Sequence, residues 1–182
     1  HVCTSGADNT IIGTYAGDAL TTGHSNTGIG RAALGAATTS YHNTGVGFYA
    51  LLANTTGYYN VAVGSNSLVA NTTGTGNTSV GGYSLDACTT GGYNTAIGKS
   101  CLGSLTTGGY NVAMGSDTAH FITTGSYNTA LGWGSGSALT TATDCTFVGR
   151  EAGKGVTTGS YNIAVGAESM MGAVTGTANV VV

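Results

Sequence analysis

Thr90-Gly91-Gly92-Tyr93-Asn94-Thr95-Ala96-Ile97-Gly98 is followed, seventeen residues on, by Thr107-Gly108-Gly109-Tyr110-Asn111-Val112-Ala113-Met114-Gly115. The same string runs outward in both directions. Its Asn stands at Asn9, Asn26, Asn43, Asn60, Asn77, Asn94, Asn111, Asn128, Asn162 and Asn179, with Cys145 in the one missing place. Every step is 17 residues, with no insertion or deletion. Counting each repeat from that Asn as position 1, position 5 is Gly throughout: Gly13, Gly30, Gly47, Gly64, Gly81, Gly98, Gly115, Gly132, Gly149 and Gly166. Position 4 is always apolar, from Ile12 to Val182, and position 2 is always β-branched, from Thr10 to Val180. Positions 13 and 14 are Thr-Thr almost throughout, position 15 is usually Gly, and Tyr59, Tyr93, Tyr110, Tyr127 and Tyr161 share position 17.

A period held this strictly marks a stack of identical coils, because one inserted residue shifts every later side chain out of its column. Positions 1 to 5 read as a strand, with 2 and 4 on one face and 1, 3 and 5 on the other. Position 3 is mostly small and position 5 is Gly, so that second face lies against something close. Positions 8 to 12 carry small and apolar residues at spacings suited to a second short strand or to one helical turn. We take the strand as the expectation. Thr-Thr-Gly-x-Tyr then turns the chain back to the next Asn. The fold expected is all-β, a β-solenoid (β-roll) of about ten 17-residue coils, rising about 4.8 Å per coil to a rod of roughly 50 Å. One repeat array fills residues 1–182: a partial coil over 1–8, ten coils over 9–178, and a partial coil over 179–182. In such a stack the Asn column can run amide hydrogen bonds along the rod, and the Tyr column can stack. Both ladders are expected to be structural.

Composition excludes several functions. Of 182 residues 33 are Gly, none is Pro and only 6% are charged, with a net charge of −3. That balance leaves no basic footprint for nucleic acid. The longest apolar run, Phe48 to Ala53, is too short to cross a bilayer. Collagen fails for want of Pro and of a three-residue Gly period. Catalytic constellations do not emerge either. Asp18 and Asp86 share position 10 four coils apart, and Asp117, Glu151 and Glu168 share position 7. Glu151 and Glu168 stack directly, which reads as a solvated edge rather than an acid/base dyad. The four His form no metal-ligand spacing. No enzyme, cofactor or metal site is expected.

Cys3 and Cys88 lie five coils apart, beyond disulfide reach, whereas Cys88 and Cys101 are on adjacent coils and a bridge between them stays open. The simpler expectation is that each Cys replaces a small or apolar residue of its column. Asn54, Asn71 and Asn77 stand in Asn-x-Ser/Thr sequons and are candidate N-glycosylation sites.

The strings Ala96-Ile97-Gly98-Lys99-Ser100-Cys101, Ala62-Val63-Gly64-Ser65-Asn66-Ser67 and Ala164-Val165-Gly166-Ala167-Glu168-Ser169 resemble the head repeats of YadA-like trimeric autotransporter adhesins. The longer Thr-Thr-Gly-x-Tyr-Asn-x-Ala-x-Gly unit is similar to repeats of bacteriophage tail fibres. The resemblance covers essentially the whole chain and implies a β-roll that commonly trimerises, exposed at a cell or virion surface. The partners it implies are further copies of the chain and host surfaces or glycans. The 17-residue period is longer than the usual head repeat.

The function expected is therefore a structural or adhesive subunit of an extracellular fibre. The chain begins at position 10 and stops at position 4, complementary parts of one coil, which suggests head-to-tail assembly or a piece of a longer array. Ice binding is the alternative, since Thr ladders on a flat solenoid can match a lattice. Against it, Thr at 13 and 14 are neighbours and position 2 shares its face with apolar position 4. A glycan-degrading tailspike would need a carboxylate pair in a groove, and none is found.

Overall fold

A computed structural model of the chain describes residues 6–172 and 174–182. The expectations placed on Cys3 and on the first residues of the opening partial coil lie outside them. The chain winds into a β-solenoid of about ten turns of roughly 17 residues, with no helix among the described residues. Each turn contributes one short strand at positions 2 to 4. These are β1 (Thr10–Ile12), β2 (Thr27–Ile29), β3 (Thr44–Val46), β4 (Val61–Val63), β5 (Thr78–Val80), β6 (Thr95–Ile97), β7 (Val112–Met114), β8 (Thr129–Leu131), β9 (Thr146–Val148), β10 (Ile163–Val165) and β11 (Val180–Val181). They form one parallel sheet in sequence order, each residue paired with its equivalent 17 residues away, as Thr95↔Val112 and Ile97↔Met114.

The expected second strand does not form. Positions 5 to 12 fold instead as consecutive tight turns, each closed by an amide reaching back three residues: Ala50 to Gly47, Leu52 to Tyr49 and Asn54 to Leu51. The first two turns place their third residue at positive φ, as type II turns require. Thus Tyr49 (φ 60) and Leu51 (φ 53) are left-handed, and equivalents recur along the rod. Position 17 is left-handed too, as in Tyr93 and Tyr110 (φ 60 each). Such a conformation costs an L-residue about 1–2 kcal/mol. It is sustained because these amides bond to neighbouring coils: Tyr49 to Arg31, Leu51 to Ser67, Tyr59 to Tyr41. Alternation between turn bonds and inter-coil bonds explains why the segment read as neither clean strand nor clean helix.

The core is thin: position 12 (Leu20, Cys88, Leu105, Ile122, Leu139, Val156) and the small residues of position 8 line it, and two further columns face each other across it. Position 3 points inward from the strand, and position 9 points inward from the turns. Their volumes trade off. Gly28 and Gly45 of the strand face Leu34, whose Cδ1 and Cγ lie 3.4 and 3.5 Å from where their Cβ atoms would stand. Where position 9 is Gly136 and Gly153, the strand supplies Phe147, fully buried, and a Cβ on Gly153 would sit 2.5 Å from the Phe147 ring carbon Cγ. Gly17 is matched by Ile11 in the same way. The position 5 glycines have a different cause. Each adopts a φ between 115° and 140°, and a Cβ on Gly64 would stand 2.6 Å from the carbonyl oxygen of Gly81 on the next coil. Only Gly permits both that dihedral and that approach.

Candidate functional site

Position 1 points into the rod. From Asn26 to Asn128 the Asn side chains are buried, and as far as Asn111 each Oδ1 accepts both the backbone N–H and the Nδ2 of the next Asn. For Asn94 Oδ1 and Asn111 both distances are 3.0 Å. Nδ2 also donates across the interior to the position 15 carbonyl of its own coil, as from Asn111 to Gly125 at 3.0 Å. Every polar atom of the amide is therefore used, the condition for burying it at all. At Cys145 the column breaks. Asn128 Oδ1 still receives the Cys145 N–H at 3.1 Å, but the thiol turns to the carbonyl of Gly159, 3.4 Å away. The ladder resumes from Asn162 to Asn179. A second column runs along position 13, where each Thr hydroxyl donates to the Thr carbonyl one coil on, from Thr21 to Thr38 (3.0 Å) through Thr140 to Thr157 (3.1 Å). These two columns join the coils from within and along one flank.

The sequon asparagines need correction as modification sites. Asn54, Asn71 and Asn77 are completely buried. Asn71 Nδ2 donates to Asn54 Oδ1 at 2.9 Å, and Asn77 Nδ2 donates to Asn60 Oδ1 at 3.2 Å. A glycan on any of them is incompatible with this fold, because the nitrogen it would occupy faces the interior. Asn71 Oδ1 is one of two buried side-chain atoms left without a partner among the described residues, the other being Ser40 Oγ.

Cys88, Cys101 and Cys145 are free and buried, so the bridge left open between Cys88 and Cys101 is not made. Burial pushes the Cys88 thiol up to about 11 and that of Cys101 to about 12, and Cys101 Sγ donates to the carbonyl of Ala113 at 3.2 Å. These are packing residues with little thiolate character. Among the described residues, one dense charged group joins two coils near the C-terminal end. Arg150 bonds Glu151 at 3.3 Å and also Glu168, and Lys154 bonds Glu151. Glu151, expected as a solvated edge, is instead nearly enclosed, with both cations on it. Among the described residues no group of three His, Cys, Asp or Glu is placed to hold a metal ion. No helix among them is long and apolar enough to cross a membrane.

The outward surface of the strands carries the rod's main chemistry. Positions 2 and 4 point to solvent, not into the core: Val112 and Ile163 at position 2 are 37 and 39% exposed, and Ile12 and Met114 at position 4 are 59 and 42% exposed. Position 17 is exposed as well, with Tyr59, Tyr93, Tyr110, Tyr127 and Tyr161 all more than half exposed. Tyr93, Tyr110 and Tyr127 form a continuous stack with centroids 5.1 Å apart, whereas Tyr59 stacks on His42. Gly76 and Asp144 interrupt the column, so the ladder is broken into pieces. Position 6, with Phe48, Trp133, Arg31 and Lys99, follows the Gly turn and carries exposed side chains, Phe48 and Trp133 among them. Positions 2 and 4 do share one face, as strand alternation expects, but that face, whose residues suit a packed pleat, is open to solvent.

No protein-family model, no curated protein and no solved structure matches the chain.

Proposed function

We propose that the chain is a structural segment of an extracellular or surface fibre, a stiff spacer that sets length and displays surface. The observation that carries the reading is the unbroken in-register stack, in which each coil is tied to the next by a strand pairing, an Asn or Cys link and, along most of the rod, a Thr link. Such bonding resists bending, because tilting one coil breaks several bonds on one side at once. It is also indefinitely extendable, since adding a coil, from the same chain or another copy, needs only the bonds already present. Location at a cell or virion surface is supported by the resemblance to surface-fibre repeats. Negative-stain imaging and small-angle scattering test the reading. Rigid rods about 50 Å long, or integral end-to-end multiples, are expected. Flexible or globular particles would overturn it.

A second reading, ice binding, gains one observation from the structure. The position 2 Thr row and the apolar position 4 row are both outward on a regular sheet, so their shared face is no longer an objection. Position 13, by contrast, spends its hydroxyls on inter-coil bonds. Val61, Val112, Ile163 and Val180 interrupt the Thr row, which is why we place this reading second. A thermal-hysteresis measurement decides it, with no hysteresis expected.

A further inference from the structure

We infer that the Thr column at position 14 is a row of acceptor sites for O-linked sugars, one hydroxyl per coil, each taking its sugar from a nucleoside-diphosphate-activated donor. The row is separate from the open sheet face, and the inference does not depend on the fibre reading.

Position 14 is Thr in all ten coils, from Thr22, Thr39 and Thr56 to Thr158 and Thr175, without one replacement. The other columns held as constant have a structural cause. The position 1 Asn spends its amide on the next coil. The position 5 Gly has a dihedral and an approach that only Gly permits. The position 13 Thr donates its hydroxyl to the next coil. Position 14 has no such cause. All ten side chains are exposed, none of their hydroxyls takes part in a hydrogen bond among the described residues, and none of the ten has a left-handed backbone. The stack uses only the backbone N–H, as from Thr73 to the carbonyl of Thr89 at 3.4 Å, which any residue but Pro supplies.

Branching at Cβ does not explain the column either. At position 2, where a stiff branched side chain suits the strand, Thr alternates with Val and Ile, as at Val61, Val112 and Ile163. Position 14 never makes that exchange, so what is kept is the hydroxyl.

The surroundings admit a sugar. Positions 11 to 16 carry no Lys, Arg, Asp or Glu anywhere in the chain, and the residue that follows each Thr is Gly, Ser or Ala. The row is a single file of exposed side chains between position 13, mostly half-buried, and position 15, mostly buried. An ice lattice needs a plane of such groups, whereas glycosyl transfer needs one open hydroxyl at a time. Neighbouring acceptors stand about 4.8 Å apart along the rod, so single sugars, not branched glycans, are the class that can occupy every coil. A neutral coat also supplies hydration that the chain otherwise lacks. With 6% charged residues and apolar rows open on the sheet, little else keeps rods dispersed in water.

In the transfer, the Thr Oγ attacks the anomeric carbon of the donor. The bond from that carbon to the phosphate oxygen breaks, and the nucleoside diphosphate leaves with its electron pair. The hydroxyl proton passes to a base of the transferase.

Peptide mass spectrometry on the protein purified from the cells that make it tests the inference. Peptides containing position 14 should be heavier than their sequence by whole numbers of one glycosyl residue, and alkaline β-elimination should remove the increment. Thr90→Val should erase one increment and leave the unfolding midpoint unchanged. Thr89→Val should keep the sugar on Thr90, because the Thr89 hydroxyl is spent on the carbonyl of Thr106 at 3.3 Å. Bare peptides at all ten positions, or sugars carried on position 2 or 13 instead, overturn the inference. Either result leaves the fibre reading standing if imaging shows rods. Thermal hysteresis from a bare chain, abolished by Thr90→Lys, would assign the row to ice instead.

Discussion

At the scale of single residues, the Asn column shows how a polar group can organise a core. A buried amide left unsatisfied costs about 1–3 kcal/mol, whereas a fully bonded one contributes modestly. Within an unbroken run each amide is satisfied by its identical neighbour one coil away; beside Cys145 a backbone N–H and the Gly159 carbonyl take that neighbour's place. Cys145 is the exception, and it yields a prediction. Cys145→Asn rejoins the ladder between Asn128 and Asn162, and should raise the thermal midpoint by a stabilisation of about 1 kcal/mol. An unchanged or lower midpoint would show that the column contributes little. The thiols make a second case. The folded pKa values of Cys88 and Cys101, about 11 and about 12, lie above the ordinary 9.0. The folded state therefore holds these protons more tightly than the unfolded chain does. Their stabilisation is full below pH 9 and is lost as pH rises through 11 and 12. Native protein should be inert to a thiol reagent at pH 8 at both positions and lose thermal stability progressively above pH 9, a loss that Cys88→Ala/Cys101→Ala reduces.

At the scale of the coil, strand and turns are coupled through volume. Position 9 is Leu over five consecutive coils, from Leu34 to Leu102, where position 3 is Gly, Ala or Ser. The large Phe147 appears only where Gly136 and Gly153 make room. Phe147→Ala should cost about 3–5 kcal/mol, the range for emptying an aromatic site. Gly153→Leu alone should be destabilising, because its first side-chain carbons meet the Phe147 ring. Combining the two changes should recover much of the loss, and chemical denaturation of the single and double variants reads this directly. Additive costs would show that the columns do not share space. The period, the strand and the Gly corners were legible in the sequence because each repeats without exception. The turns over positions 5 to 12 were not, because Tyr49, Leu51 and their equivalents adopt a conformation that local preference disfavours. Inter-coil hydrogen bonds sustain it, together with burial of the position 9 side chains in the core. The sequons were misleading for a related reason: Asn54 and Asn71 sit in a local motif that signals exposure, while the closing of the coil turns them inward.

At the scale of the whole molecule, a compact chain of this mass exposes about 8,000 Å², and this one exposes 7309 Å². The coils are thus well closed, and part of the apolar surface that remains runs in two rows along the open sheet, with further exposed side chains such as Tyr15, Tyr83 and Phe121 on the turns. With 6% charged residues, cohesion owes little to ion pairs. Raising the ionic strength from 0.05 to about 1 M NaCl, where the Debye length falls to about 3 Å, should leave the unfolding midpoint nearly unchanged. A large drop would assign the Arg150–Glu151–Lys154–Glu168 cluster a greater share than its place near one end suggests. The sequence by itself determined the coil length, the stacking register and the residues of each ladder, since a strict period admits only one alignment of columns. The tertiary structure alone decided which side of each column faces water. Strand alternation sorts residues into two faces without saying which is covered, and that depends on where the turns of the same coil fold back.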